Sequence, residues 1–206
     1  GTANDVASTL KLPKGDSAAC ARRIAGGEEK YWDVGGMGGG RYFTYVAAFG
    51  AFTDVSYETP QQSKQALGHL AYILEGMNRI TRLPHAKCRI ELSGGEVEEG
   101  DFIFGGVTNS LSVAGLVKLD PGLVGLDDGQ FEISLVRYPE TLAELNTLMG
   151  QAVSKNLNGP ALKILHAESV KFSFERPVSF TRDGEPGGSY TELTIKNHRR
   201  AVRIIC

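Results

Sequence analysis

The last part of the chain carries the pattern that decides the fold: residues 170–205 read VKFSFERPVSFTRDGEPGGSYTELTIKNHRRAVRII. Apolar and polar residues alternate in four short runs, at Val170 to Phe174, Val178 to Thr181, Tyr190 to Ile195 and Ala201 to Ile205. This alternation is typical of half-buried antiparallel strands, and turn-forming residues separate the runs. The pattern predicts a β-sandwich or a flattened barrel.

Upstream of this stretch, further strands and a few helices are predicted. The strand runs are Glu29 to Val34, Arg41 to Phe49, Cys88 to Leu92, Asp101 to Phe104 and Phe131 to Val136. Helical spacing of apolar residues marks Gln61 to Met77 and Thr141 to Val153 as the two main helices, and Ser17 to Ala25 as a shorter one. We therefore expect an α+β fold that is mainly antiparallel β, sandwich-like, with two main helices.

A glycine-rich segment, residues 35–40, joins two of the predicted strands. A phosphate-binding glycine loop follows a strand and opens a helix, so this context favours a hairpin turn instead.

Composition excludes several classes of function. The chain has 206 residues, 41% of them apolar, and 22 basic against 24 acidic residues, so the net charge of -2 gives no reason to expect a nucleic-acid partner. No apolar run approaches the roughly 20 residues of a membrane span. The three cysteines and four histidines have no metal-ligand spacing, which argues against zinc and favours reduced, cytosolic thiols.

Three acidic turns, far apart in sequence, stand out: residues 1–5 (GTAND), 126–129 (LDDG) and 183–188 (DGEPGG). Phosphoryl transfer needs neutralised phosphate charge and a carboxylate placed to take the proton of the acceptor hydroxyl. Glu185 is the candidate base, because the glycines around it let a substrate approach the backbone. Taken alone, Asp183-Gly184 is equally an ordinary hairpin signal, with Glu185 in solvent.

Asp127 and Asp128 are adjacent carboxylates that repel each other, so a cation would stabilise a turn that holds both. Mg²⁺ suits such a site of oxygen ligands. The alternative is a solvated turn. In the first turn, Asn4 or Asp5 can cap a helix that begins near Val6, with or without a ligand.

The order of these motifs resembles the soluble bacterial diacylglycerol kinase family, which is related to the sphingosine and ceramide kinases. No single motif is unique to that family. Besides the three turns, the resemblance includes Arg41-Tyr42-Phe43, Val46 to Gly50, Leu70 to Leu74, Thr108-Asn109-Ser110 and Ala114-Gly115.

The resemblance implies roles for individual residues. Glu185 would be the general base. Asp128 would bind magnesium together with the backbone carbonyls of Gly125 and Gln130, with Asp127 beside it. Thr2, Asn4 and Asp5 would lie on the nucleotide side of the site. ATP and Mg²⁺ are the implied cofactors.

The resemblance also implies a domain division: residues 1–28 as a remnant of an α/β nucleotide-binding domain and residues 29–206 as the β-rich C-terminal domain. The family's glycine-rich nucleotide loop lies upstream of the motif at residues 1–5, so we expect this fragment to be inactive alone and the intact protein to phosphorylate diacylglycerol or a similar lipid. A sphingoid base is another possible acceptor. A non-catalytic β-sandwich that binds lipid or a partner protein is the alternative from a different class.

The expected location is cytoplasmic and peripheral to the membrane, where the lipid substrate lies. The cluster of His198, Arg199, Arg200 and Arg203 would either meet anionic headgroups or form a solvated turn. A homodimer through an exposed strand edge is also possible.

Overall fold

Antiparallel strands dominate the computed structural model, which describes residues 10, 12–13, 15–27, 29–50, 84–109, 112–113, 117–118, 125–154 and 156–205. The helices in this part are α1 (Ser17–Ala25) and α2 (Leu142–Ser154). The strands are β1 (Glu29–Gly36), β2 (Tyr42–Phe43), β3 (Val46–Gly50), β4 (Ala86–Leu92), β5 (Val97–Thr108), β6 (Ser112–Val113), β7 (Val117–Lys118), β8 (Phe131–Arg137), β9 (Leu162–Ala167), β10 (Ser169–Arg182) and β11 (Glu185–Ile205).

Nine of these strands form one sheet in the order β2-β1-β11-β10-β3-β5-β8-β9, with β4 placed between β10 and β5. β3 and β4 occupy the same position in the sheet, one after the other. On β5, residues 104–108 pair with β3 and residues 97–102 pair with β4, and β10 is divided between them in the same way. β6 and β7 form a separate two-stranded sheet.

The sheet curls around its own core. Phe43 of β2 stacks on Phe131 of β8 with 5.7 Å between ring centroids, although these strands stand first and seventh in the order. The inner face is rich in buried aromatic side chains, including Phe43, Phe49, Phe102, Phe131, Phe172 and Phe180. Each buried phenylalanine contributes roughly 1.5–3 kcal/mol. The predicted fold class, α+β and mainly antiparallel β, is confirmed.

The helices are placed largely as predicted. α1 covers the expected residues, and its N-cap is Asp16, whose Oδ1 accepts a hydrogen bond from the N–H of Ala19 at 2.8 Å. α2 packs on a second apolar cluster through Leu145 and Leu148. The predicted helix at residues 61–77 lies outside the described residues. No helix in the described part of the chain is both long enough and apolar enough to cross a bilayer.

The apolar face predicted for α2 consists of Leu142, Leu145, Met149 and Ala152. This prediction is wrong at its start, because Leu142 is 70% exposed, and it misses Gln151, which is buried. The amide of Gln151 accounts for its own burial: its Nε2 donates to the carbonyls of Asn156 and Leu162, and its Oε1 accepts from the N–H of Ala161. A polar side chain therefore faces inward to satisfy the backbone of the loop that leads into β9.

The predicted strands differ from the observed strands in where they break. The run from Arg41 to Phe49 is two strands, β2 and β3, separated at residues 44–45. The last four predicted runs are two long strands instead, because β10 continues through an irregularity at residues 174–177 and β11 continues to Ile205.

An ion-pair network centred on one largely buried carboxylate connects the middle strands. The carboxylate of Glu98, with only 12% of its side chain exposed, accepts a hydrogen bond from Arg137 Nη2 at 2.7 Å and pairs with Lys163 Nζ. Burial raises the pKa of Glu98, but the hydrogen bonds and charges of Lys163 and Arg137 outweigh burial and hold this pKa below its ordinary value of 4.5.

This network predicts acid sensitivity. A carboxyl with a lowered folded-state pKa stabilises the fold fully above pH 4.5, the ordinary value, and this stabilisation is lost as the pH falls through the folded-state pKa. We expect Glu98→Gln to lower the free energy of unfolding by about 1–2 kcal/mol at pH 7, and by less as the pH falls below 4.5. Urea titrations at several pH values measure both effects.

Glu175→Gln is the matched control, because Glu175 pairs with Lys87 at an exposed position and should contribute less than about 0.5 kcal/mol. An equal loss for both variants would contradict the account.

Candidate active site

The third acidic turn is a two-residue hairpin between β10 and β11. Arg182 pairs directly with Glu185, and the intervening Asp183 and Gly184 have φ values of 46° and 85°. Two successive positive φ values define the turn type for which Asp-Gly is preferred, since glycine adopts this conformation without strain. Glu185 is therefore the first residue of β11, and its side chain is exposed.

Asp183 anchors this hairpin to the segment between β2 and β3. Its carboxylate accepts hydrogen bonds from the N–H groups of Thr44, Tyr45 and Val46, at 2.8, 2.9 and 2.9 Å, and from Thr44 Oγ1 at 3.2 Å. Its own N–H donates to Val46 O. These bonds take the N–H groups of residues 44–46 away from a sheet ladder, which explains why β2 and β3 are separate.

The second acidic turn, residues 125–130, is held by a buried carboxylate that sequence reasoning missed. Asp33 of β1 is fully buried. Its Oδ2 accepts from Gly129 N and its Oδ1 from Arg200 N, both at 2.6 Å, and its own N–H donates to Leu126 O at 2.8 Å. The strand β11 bulges opposite Asp33, and Arg200 has a φ of 53° at this bulge. The carboxylate fills the bulge and fixes the turn to β1.

Asn109, which is also fully buried, connects the two turns. Its N–H donates to Tyr45 O at 3.1 Å, and its Nδ2 donates to Asp33 O at 2.9 Å. Tyr45 N in turn donates to the carboxylate of Asp183. The hydrogen-bonded path from the hairpin to Asp33 therefore passes through only two residues, Tyr45 and Asn109. Trp32 makes a parallel connection through its indole N–H, which donates to Thr44 O at 2.9 Å. The structure therefore brings the second and third acidic turns to the same end of the sheet.

Within the second turn, the residues expected to bind magnesium lie together. Asp128 Oδ1 accepts from Gln130 N at 2.8 Å. A Cβ added at Gly125 would collide with Asp128 Oδ2, so the missing side chain leaves the space that the carboxylate occupies. The side chains and backbone of this turn offer oxygen ligands, which suit Mg²⁺.

Asp127 has different surroundings from Asp128. Its carboxylate lies 3.6 Å from Arg200 Nε, and its main-chain carbonyl accepts from Arg199 Nε at 3.1 Å. Arginine thus supplies positive charge to one of the two adjacent carboxylates, Asp127. Among the residues the structure describes, no group of three or more His, Cys, Asp or Glu side chains is placed to hold a metal. The Asp128 turn is not such a group of side chains, because two of its expected magnesium ligands are main-chain carbonyls.

The basic cluster of residues 198–203 lies in β11 and not in a turn, which corrects that alternative. Arg200 also stacks on the ring of Tyr31, 4.1 Å from its centroid, and Arg203 pairs with Glu29 at 3.0 Å. His198 packs edge-on against Tyr42 with 5.7 Å between ring centroids. Arg200 and Arg203 therefore already have partners within the protein, which leaves less positive charge to attract an anionic membrane surface.

The expected nucleotide-side residues Thr2, Asn4 and Asp5 lie outside the described residues. The roles of Asp33 and Asn109 were not predicted, although one signal was available for Asp33, which is the single charged residue in the predicted strand core from Tyr31 to Val34.

Comparison with known proteins finds relatives that carry the name of the family that the motifs resemble. The chain is 31% identical over 189 residues to the diacylglycerol kinase of Bacillus subtilis, an alignment that covers 91% of this chain and 61% of the relative. It is 36% identical over 203 residues to the diacylglycerol kinase of Staphylococcus carnosus, covering 96% of this chain and 64% of the relative. The chain is a homologue of the bacterial diacylglycerol kinases. It spans less than two thirds of the length of these curated relatives.

Solved structures agree on the fold of this kinase homologue. A diacylglycerol kinase from Bacillus anthracis str. Sterne superposes with a TM-score of 0.66 at 20% identity, covering 100% of this chain and 64% of that one. A second solved chain from the same strain gives a TM-score of 0.72 at 23% identity, covering 100% of this chain and 67% of that one. No family model matches the sequence.

Asp33→Asn tests the role of the buried carboxylate. Two N–H groups point at its two oxygens, and an asparagine would turn an NH₂ group toward one of them. We expect a loss of about 2–3 kcal/mol in the free energy of unfolding, measured by urea titration. Asp16→Asn makes the same chemical change at an exposed helix cap, where asparagine caps as well as aspartate, and should change stability by less than about 0.5 kcal/mol. A tolerated Asp33→Asn would show that this carboxylate does not hold the turn.

Asp183→Asn tests the anchor of the hairpin. Asparagine tolerates the positive φ, so the variant removes acceptor capacity without adding backbone strain. Amide hydrogen exchange should accelerate at Thr44, Tyr45 and Val46, while residues 201–205 of β11 stay protected to the same degree. Unchanged exchange at residues 44–46 would contradict the anchoring role.

Proposed function

We propose that the gene product carrying this chain transfers the γ-phosphoryl group of ATP to the hydroxyl of diacylglycerol or a similar lipid, giving phosphatidic acid. The observation that carries this proposal is the hydrogen-bonded link, through Tyr45, Asn109 and Asp33, between the Glu185 hairpin and the Asp128 turn, in a chain homologous to diacylglycerol kinases.

Glu185 is the proposed general base. Its side chain is exposed at the end of the sheet, and the turn before it is fixed by Asp183, so the carboxylate is presented on a rigid support. A positioned carboxylate that accepts the proton of the attacking hydroxyl typically contributes a factor of about 10² to 10⁴ in rate. Asp183 cannot take this role while its oxygens accept four hydrogen bonds.

Magnesium would be held by Asp128 and by the main-chain carbonyls of Gly125 and Gln130, with Asp127 adding negative charge beside it. The ion supplies electrostatic neutralisation when it is bound. The turn suits magnesium because it offers carboxylate and carbonyl oxygens as ligands, and because Gly125 has no side chain that would displace the carboxylate of Asp128. Thr2, Asn4 and Asp5 remain the proposed nucleotide-side residues.

The proposed setting is cytoplasmic, with the protein peripheral to the membrane that contains its lipid substrate. The acceptor is diacylglycerol in the first instance, and a sphingoid base is the second lipid to test. Dimerisation through a strand edge stays a prediction.

Formation of phosphatidic acid from ATP and diacylglycerol in mixed micelles tests the proposal, with the gene product that carries this chain as the enzyme. Glu185→Gln keeps the shape of the side chain and removes the base, so we expect the rate to fall by a factor of about 100 or more. Glu192→Gln is the control, because Glu192 is exposed on the same strand and its charge pairs with Lys171 at the surface.

Two outcomes would contradict the proposal. A Glu185→Gln variant that keeps the natural rate would remove Glu185 as the base. An absence of phosphorylated product from both lipids with the natural protein would favour a non-catalytic domain that binds lipid or a partner protein.

A further inference from the structure

Arg182 lies directly opposite Glu185 at the end of the β10–β11 ladder. Side chains of directly opposed residues in antiparallel strands project from the same face of the sheet, with Cβ atoms roughly 5 Å apart. Arg182 also pairs with Ala47, whose side chain belongs to the main core. The side chain of Arg182 therefore projects from the face of the sheet that packs on the main core, at the end of the sheet where both acidic turns lie.

The guanidinium of Arg182 is held in place. Its Nη1 donates to the main-chain carbonyl of Tyr42 at 3.0 Å, across the curled sheet from β10 to β2. The residue is partly buried, and its Nε is fully buried without a hydrogen-bond partner. Within the described part of the chain, Arg182 forms no ion pair. The adjacent carboxylate of Asp183 is occupied by residues 44–46.

Arg182 forms no ion pair within the described residues, so an anion that reaches its accessible N–H groups would stabilise this partly buried cation. The planar guanidinium has five donors arranged as a fork that matches the oxygens of a phosphate group.

We propose that Arg182 binds a phosphoryl group beside Glu185. The ligand is either the terminal phosphate of the nucleotide or the phosphate of the lipid product, since both present the same oxygens. This inference rests on the proposed function for the identity of those two ligands. The positive charge offsets the repulsion between the carboxylate of Glu185 and the phosphoryl oxygens, a role that cations fill in phosphoryl transfer generally.

Binding of inorganic phosphate, measured by isothermal titration without turnover, tests the site in the gene product that carries this chain. Arg182→Gln keeps an N–H donor and removes the charge, so phosphate affinity should fall about tenfold or more. Arg182→Lys keeps the charge and should give an intermediate affinity. Arg176→Gln is the matched control, because Arg176 is exposed on the same strand. It should bind like the natural protein.

Competition then separates the two sources of phosphate. Displacement by ATP but not by ADP assigns the terminal phosphate of the nucleotide, while displacement by short-chain phosphatidic acid but not by the matching diacylglycerol assigns the lipid product. Equal phosphate affinity in the natural protein and Arg182→Gln, or phosphate that neither ligand displaces, would overturn the inference. These binding results do not depend on Glu185, so failure of the base assignment and failure of this site are distinguishable. The Lys variant answers the same question if Arg182→Gln does not fold.

Discussion

The end of the molecule that carries the candidate site depends on one buried carboxylate. Asp33 brings a negative charge into the interior, which is unfavourable unless hydrogen bonds compensate for lost water. Two short N–H bonds from Gly129 and Arg200 provide that compensation, and they come from segments about 96 and 167 positions away in sequence. The cost of leaving this charge without its donors therefore keeps three distant segments in one arrangement. The bulge in β11 and the position of the Asp128 turn both follow from it.

The acidic residues at this end have separate tasks. Asp33 and Asp183 accept backbone hydrogen bonds and are structural. The charge of Asp127 faces Arg200. The chemical roles proposed above fall to Glu185 and to the second oxygen of Asp128. Such a division suits catalysis, because groups held by a rigid scaffold need little reorganisation when the substrate reacts.

Local pattern was sufficient for much of the fold. α1 and most strand positions follow from periodicity and turn residues, because each of these signals acts over a few neighbouring residues. The break between β2 and β3 could not be predicted, since Asp183, about 138 positions away, causes it. The inward position of Gln151 depends on a loop that the helical pattern does not reveal. For the site, the family resemblance was sufficient to predict roles for Glu185 and Asp128. The hydrogen bonds through Asp33 and Asn109 could not be predicted, because they join residues that are far apart in sequence.

The proposed phosphoryl transfer requires that the Asp128 turn binds a divalent cation and that the Glu185 hairpin lies close to this cation. Paramagnetic Mn²⁺, used in place of Mg²⁺, tests both requirements in one NMR experiment on backbone amides. We expect broadening of the amides of residues 125–130 together with those of Gly184 and Glu185, and loss of both effects in Asp128→Asn. Broadening confined to the turn, with the hairpin amides unchanged, or an unaltered spectrum for the natural protein, would contradict the proposed arrangement.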